Sequence, residues 1–161
     1  RDLMQEFDKC FYSGTMFGET LSIAAAIATI DKIEREDVIK HLWKAGDILR
    51  DRIAGGLVYY GLEKAIQLKG YSPRLQLEFS NHASYSKEQI RTLFMQEMAQ
   101  AGVLIANCHG LSFAHREPEI KRILLAYDHT LEVISESLRV GDIEKRIGGN
   151  VVVPLVREAA Q

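Results

Sequence analysis

From Arg74 to Phe79 the sequence reads with period two. Leu75, Leu77 and Phe79 alternate with Arg74, Gln76 and Glu78, the pattern of a strand with one buried and one solvated face. Such a strand cannot stand alone, because its ladder groups need a neighbour and its apolar face needs a cover. The rest of the chain is dominated by helical spacing, so the reading is an α+β layer: a small, mostly antiparallel sheet covered by helices.

The covering elements follow from stripes and end signals. From Glu19 to Ile33 apolar and alanine positions are dense on nearly every side, which predicts a buried, centrally packed helix. Val38, Leu42, Ala45, Leu49 and Ile53 recur at helical steps and predict a second, amphipathic helix. Gly55 and Gly56 punctuate it, and Val58, Leu62, Ala65 and Ile66 resume the stripe before Gly70 and Pro73, which predicts a bent or two-part helix. Ser86 and Gln89 form a capping box before the stripe Ile90, Leu93, Phe94, Met98, and Gly102 stands at the C-terminal cap. Residues 103–106 and 111–114 read as two strand pieces joined by a polar turn, Asn107-Cys108-His109-Gly110, giving three strands in all. Pro118 opens a last long helix, carried by Ile120, Leu124, Tyr127, Leu131, Ile134 and Leu138 and stopped by Gly141.

With 161 residues, 47% of them hydrophobic, there is apolar material for one packed core. A formal charge of −2 argues against nucleic acid or anionic lipid as partners. The longest apolar run, Leu21 to Ile30, is far shorter than the ~20 residues that cross a bilayer. Two cysteines without metal-ligand spacing suggest neither a disulfide framework nor a metal site, which fits a reducing cytoplasm. The chain opens on Arg1, without an initiator methionine or a signal peptide, so further sequence is expected upstream.

The most informative string is Phe11-Tyr12-Ser13-Gly14-Thr15-Met16-Phe17-Gly18-Glu19-Thr20-Leu21-Ser22, running into Ala24-Ala25-Ala26-Ile27-Ala28-Thr29. A Ser-Gly-Thr turn before a helix can offer backbone N–H groups and two hydroxyls to an anion, with glycine permitting close approach. On local chemistry alone, a simple helix cap is the commoner role of such a turn.

The string resembles a segment of the class III pyridoxal-phosphate (PLP) aminotransferases, in which a Ser/Gly-Thr pair, a glycine turn and an alanine-rich helix follow one another. A second block, Leu111-Ser112-Phe113-Ala114-His115 with Glu117 and Glu119-Ile120, is similar to the Ser-x-Ala-His-x-x-x-x-Ile block of the glutamate-1-semialdehyde aminomutase-like members. Where ornithine- or GABA-type members commonly read Gly-Asn-Pro, this chain has Gly18-Glu19-Thr20, and residues 106–111 lack the arginine with which many members hold a substrate carboxylate. Both departures point to the aminomutase-like branch.

The resemblance implies the C-terminal small domain of a fold-type I PLP enzyme, with residues 1–18 closing the large domain at the interface and 19–161 forming the small domain. It implies that Ser13, Gly14 and Thr15 contact the PLP phosphate held by the other subunit of a homodimer, through this segment and the following helix. Asn107 and His109 are expected at the substrate mouth, and His115 as a helix-entry residue. No catalytic residue is assigned here. The Schiff-base lysine precedes the threonine segment in that family, which excludes Lys69 and predicts a piece inactive alone, from an enzyme acting on an amino-acid or amino-sugar-type substrate. The competing reading is a stand-alone ferredoxin-like small-molecule-binding or dimerisation module from Arg74 onward, which leaves residues 13–29 without a role.

Overall fold

The structure, a computed structural model, describes residues 2–11, 14–106 and 108–153, with backbone only for Asp2 and Leu3. The chain divides into two compact units, Arg1–Ile39 and Lys40–Gln161.

In the first unit a short helix α1 (Asp2–Gln5) continues into a 3₁₀ turn, Glu6–Lys9. A tight turn follows, closed by Phe17 N–H donating to the Gly14 carbonyl at 3.2 Å. Helix α2 (Thr20–Arg35) then starts on Glu19. Its expected burial is not found: no residue of α2 is buried, and Leu21 is 76% exposed. Ile23, Ile27 and Ile30, at i, i+4 and i+7, form one exposed apolar stripe. Apolar density selects the helix but does not supply a surface to pack against.

The second unit carries the core. Helix α3 (Val38–Tyr59) buries Ala45, Leu49, Ile53 and Leu57 along one face. It runs unbroken through Gly55 and Gly56, against the expected break. A Cβ on Gly56 would stand 3.0 Å from Leu131 Cδ1, so this glycine serves the approach of another helix. The stop comes at Gly61, whose φ of +68° lets Leu62 N–H reach back to the Leu57 carbonyl at 2.8 Å.

The predicted continuation of that helix is instead strand β1 (Ile66–Tyr71), paired antiparallel with β2 (Arg74–Phe79). Leu62, Ala65 and Ile66 satisfy a helical stripe, yet Ile66 and Leu68 also alternate. The register decides, setting Ile66 opposite Phe79 and Leu68 opposite Leu77. Burial along β2 alternates as expected.

The sheet has two strands among the described residues, not three. Residues 108–111 run along the outer edge of β2 through a single bridge, Gln76 to Cys108, with His109 N–H donating to Leu75 O at 2.8 Å. Residues 111–114 leave that edge: His115 N–H turns back to Ser112 O at 3.0 Å, so no further ladder forms. Two strands also fall short of a ferredoxin-like βαββαβ order.

Helix α4 (Lys87–Gln100) opens on the expected capping box, Gln89 N–H to Ser86 Oγ at 3.2 Å and Ser86 N–H to Gln89 Oε1 at 2.9 Å. It ends as expected at Gly102, φ +80°, with Val103 N–H on the Met98 carbonyl. Helix α5 (Glu117–Val140) has Pro118 in its first turn and Gly141 at φ +81°. A short α6 (Ile143–Arg146) packs on α4 and α5. Leu49, Ile53, Leu75, Phe94, Tyr127 and Leu131 meet in one core.

Candidate functional site

Two stretches carry the residues expected from the sequence, one in each unit. In the first, Ser13 lies outside the described residues, while Gly14 and Thr15 stand exposed in the turn before α2. A Cβ on Gly14 would stand 2.7 Å from Cζ of the half-exposed Phe17 ring, so a larger residue here would displace that ring. Thr15 Oγ1 has no hydrogen-bond partner among the described residues. The hydroxyl and the adjoining backbone face outward.

The N-terminus of α2 is closed by Glu19. Its carboxylate accepts from Leu21 N–H at 2.7 Å and Ser22 N–H at 2.6 Å, spanning N2 and N3 as a shorter Asp or Asn would. Hydrogen bonds from the Ser22 side chain and backbone, then from Leu21, hold this exposed carboxyl below its ordinary value. The helix end is therefore occupied by a fixed negative charge. An anion approaching here is met by the turn at Gly14 and Thr15, not by the helix terminus.

In the second unit Asn107 lies outside the described residues. His109 is 6% exposed and sits in the core rather than at an open mouth. Its Nε2 is 2.6 Å from Tyr127 Oη, and the rings are tilted with centroids 5.4 Å apart. Burial, with a smaller contribution from His115, pushes the imidazole down to about 4, and burial raises the Tyr127 phenol. The ring is thus neutral near pH 7 and shares one hydrogen bond with Tyr127, which anchors residues 108–110 against α5.

His115 has the helix-entry role expected of it. Its Nδ1 accepts from Ser112 N–H and pairs with Ser112 Oγ, both at 3.0 Å, two residues before α5 begins. Lys69 is half-exposed on β1 and lies 3.6 Å from Glu78, which suits a solvated strand pair. No group of three or more His, Cys, Asp or Glu residues could hold a metal among the described residues. No described helix is long and apolar enough to cross a membrane.

No protein-family model matches the sequence. The structure is similar to that of the PLP internal aldimine form of the FumI protein of Sphingopyxis sp. MTA144, with a TM-score of 0.68 and 21% sequence identity. The likeness covers 81% of this chain and 31% of that one. The chain therefore has the fold of part of that protein and spans less than a third of its length.

Sequence reasoning passed over two residues that shape these stretches. Gly46 on α3 is one: a Cβ there would overlap the backbone of Ser72 and Pro73 in the β1–β2 turn. Arg50 is the other, tying that turn down through Ser72 Oγ at 3.0 Å and the Gly70 carbonyl at 2.6 Å. Neither breaks a periodic pattern, so neither carried a local signal.

Proposed function

We propose that the chain is the C-terminal small domain of a PLP-dependent class III aminotransferase or aminomutase of the glutamate-1-semialdehyde aminomutase-like kind, acting on an amino-acid or amino-sugar-type substrate. The observation that carries this reading is a fold likeness over 81% of the chain to part of a protein solved with PLP, together with the ordered string from Phe11 to Thr29. On this reading residues 1–18 close the large domain, and the site is completed across a homodimer.

The turn fits one side of a phosphate group. Glycine at position 14 lies against the Phe17 ring and allows close approach of its backbone, Thr15 is exposed beside it, and Glu19 leaves the helix end unavailable. Ser13, Gly14 and Thr15 would hold the phosphate of PLP belonging to the partner subunit. The bound cofactor would supply the electron sink for amino-group transfer. This chain's own share is positional: the Thr15 hydroxyl donates to the phosphate, and the Gly14 turn sets its distance. His109 is fixed in the core by Tyr127, and Asn107, two residues before it in sequence, would face the substrate. The stripe Ile23, Ile27, Ile30 would be covered by the dimer partner or the large domain.

The test is Thr15→Ala in the intact enzyme. Loss of one hydrogen bond to a charged phosphate is expected to weaken PLP retention by about 1–3 kcal/mol. Unchanged retention reduces Thr15 to a turn residue. The purified chain, given PLP, is expected to form no lysine adduct and transfer no amino group; turnover by this chain alone would overturn the proposal.

A further inference from the structure

Between α3 and the start of α5, wholly within the second unit, lies an open groove of about 570 Å³. Its rim is cationic. Lys44 and Arg52 project from α3, and Arg116 and Lys121 face them from the other side, with Glu117 the one carboxylate in the lining. None of the four cations has an ion-pair partner among the described residues, in a chain where acids outnumber bases by 22 to 20. The floor is apolar: Ala45 and Ile120 are buried, Leu124 is half-buried, and Ile48 remains 42% exposed.

One end of the groove is rigidly built. Arg116 stacks over the Phe113 ring at 3.8 Å, and His41 meets the same ring edge-on at 5.2 Å. His41 Nε2 is 2.9 Å from the His115 carbonyl and donates to it. His115 Nδ1 is taken up by Ser112, which leaves the Nε2 edge of that ring as the one without a partner. Charges that repel one another around an apolar floor cost free energy unless an anion joins them.

We propose that this groove binds a small phosphate monoester with an apolar body, the phosphate lying among Lys44, Arg52, Arg116 and Lys121 and the body on Ile48, Ile120 and Leu124. A dianion answers several cations better than a monoanion. The volume is that of a small-molecule site rather than of a protein interface. The groove is lined by residues of the second unit alone, and the proposal does not depend on the PLP reading.

Phenyl phosphate, inorganic phosphate and benzyl alcohol, titrated separately into the chain by calorimetry and followed by amide chemical shifts, provide the test. Phenyl phosphate is expected to bind more tightly than either half alone, with shifts gathered on residues 41–52 and 116–124. K44Q/K121Q, at two exposed sites, should weaken it by about tenfold or more, with an unchanged circular dichroism spectrum. The charge removal K69Q on β1 should leave binding as it was.

Four results would overturn the proposal. One is inorganic phosphate binding as well as phenyl phosphate, which reduces the groove to a diffuse charge patch. Another is the absence of phenyl phosphate binding at millimolar concentration, or shifts centred on residues 14–22. The last is a dimer that K44Q/K121Q dissociates and phenyl phosphate does not affect, which makes the groove a surface for a second copy.

Discussion

Helices α2 and α5 carry similar apolar stripes and have opposite fates. Along α5, Ile120, Ile123, Tyr127, Leu131 and Ile134 are buried. Along α2, with isoleucines at comparable spacing and four alanines besides, no residue is buried. The difference is not propensity, since both are stable helical sequences with defined starts. It is the presence of facing surface: α5 packs on α4 and α6 in the second unit, whereas α2 has no such cover in the first. The open isoleucine stripe, about two turns long, is an unpartnered apolar face within its own unit.

The sharpest way to break this comparison is the same truncation on both helices. Ile134→Ala in α5 is expected to cost about 2–5 kcal/mol by removing buried methyls and leaving a cavity. Ile27→Ala in α2 should stay within about 0.5 kcal/mol in this chain. Urea unfolding checks both, and equal losses would show that α2 is covered after all. If the stripe is covered in a dimer as proposed, the second value should rise in the intact protein.

A second contrast is between buried and exposed polar groups. His109 titrates near 4 when folded, against an ordinary value of 6.5. Between those values the unfolded chain binds the extra proton, so stability is full above pH 6.5 and falls as pH drops toward 4. The loss is on the order of 3 kcal/mol. His109→Gln, which keeps a polar partner for Tyr127, should flatten that dependence. A slope unchanged in the variant would assign the acid sensitivity to carboxylates elsewhere.

Gly46→Ala probes the seat of the hairpin on α3. The added methyl meets the Ser72–Pro73 backbone, which cannot give way as a side chain can, so a loss of about 1–3 kcal/mol is expected in a melt. Gly55→Ala has open space around it and should be neutral or slightly stabilising. The smallest effect is expected at Thr130, whose buried Oγ1 has no hydrogen-bond partner among the described residues. Thr130→Val should be neutral or stabilising by up to about 1 kcal/mol in the same melt, and a clear loss would reveal a partner for that hydroxyl.

Much of the fold was legible because its signals are local. A capping box at Ser86 and Gln89, glycines at 102 and 141, and a proline at 118 act within one turn, so they mark helix ends wherever the chain goes. The period-two run at 74–79 likewise survives intact. For the candidate site, the string around Gly14 and Thr15 was legible as a turn before a helix. That Glu19 would close the helix end was not, because glutamate is an uncommon cap and reads as an ordinary surface residue.

What tertiary structure alone decided were the cases where one stretch satisfies two patterns. Ile66 fits the end of a helical stripe as well as the start of a strand, and pairing of residues 66–71 with β2 chose the strand by supplying a register of apolar neighbours. Residues 103–114 had the composition of two strands, but the edge of β2 accepted only one bridge before the chain turned toward α5. His109 read as a polar turn residue until Tyr127 took its ring into the core. The sequence by itself determined where elements start and stop, because caps and turns act over a few residues. Burial, pairing and the role of each polar side chain were decided by long-range neighbours, which a local pattern cannot name.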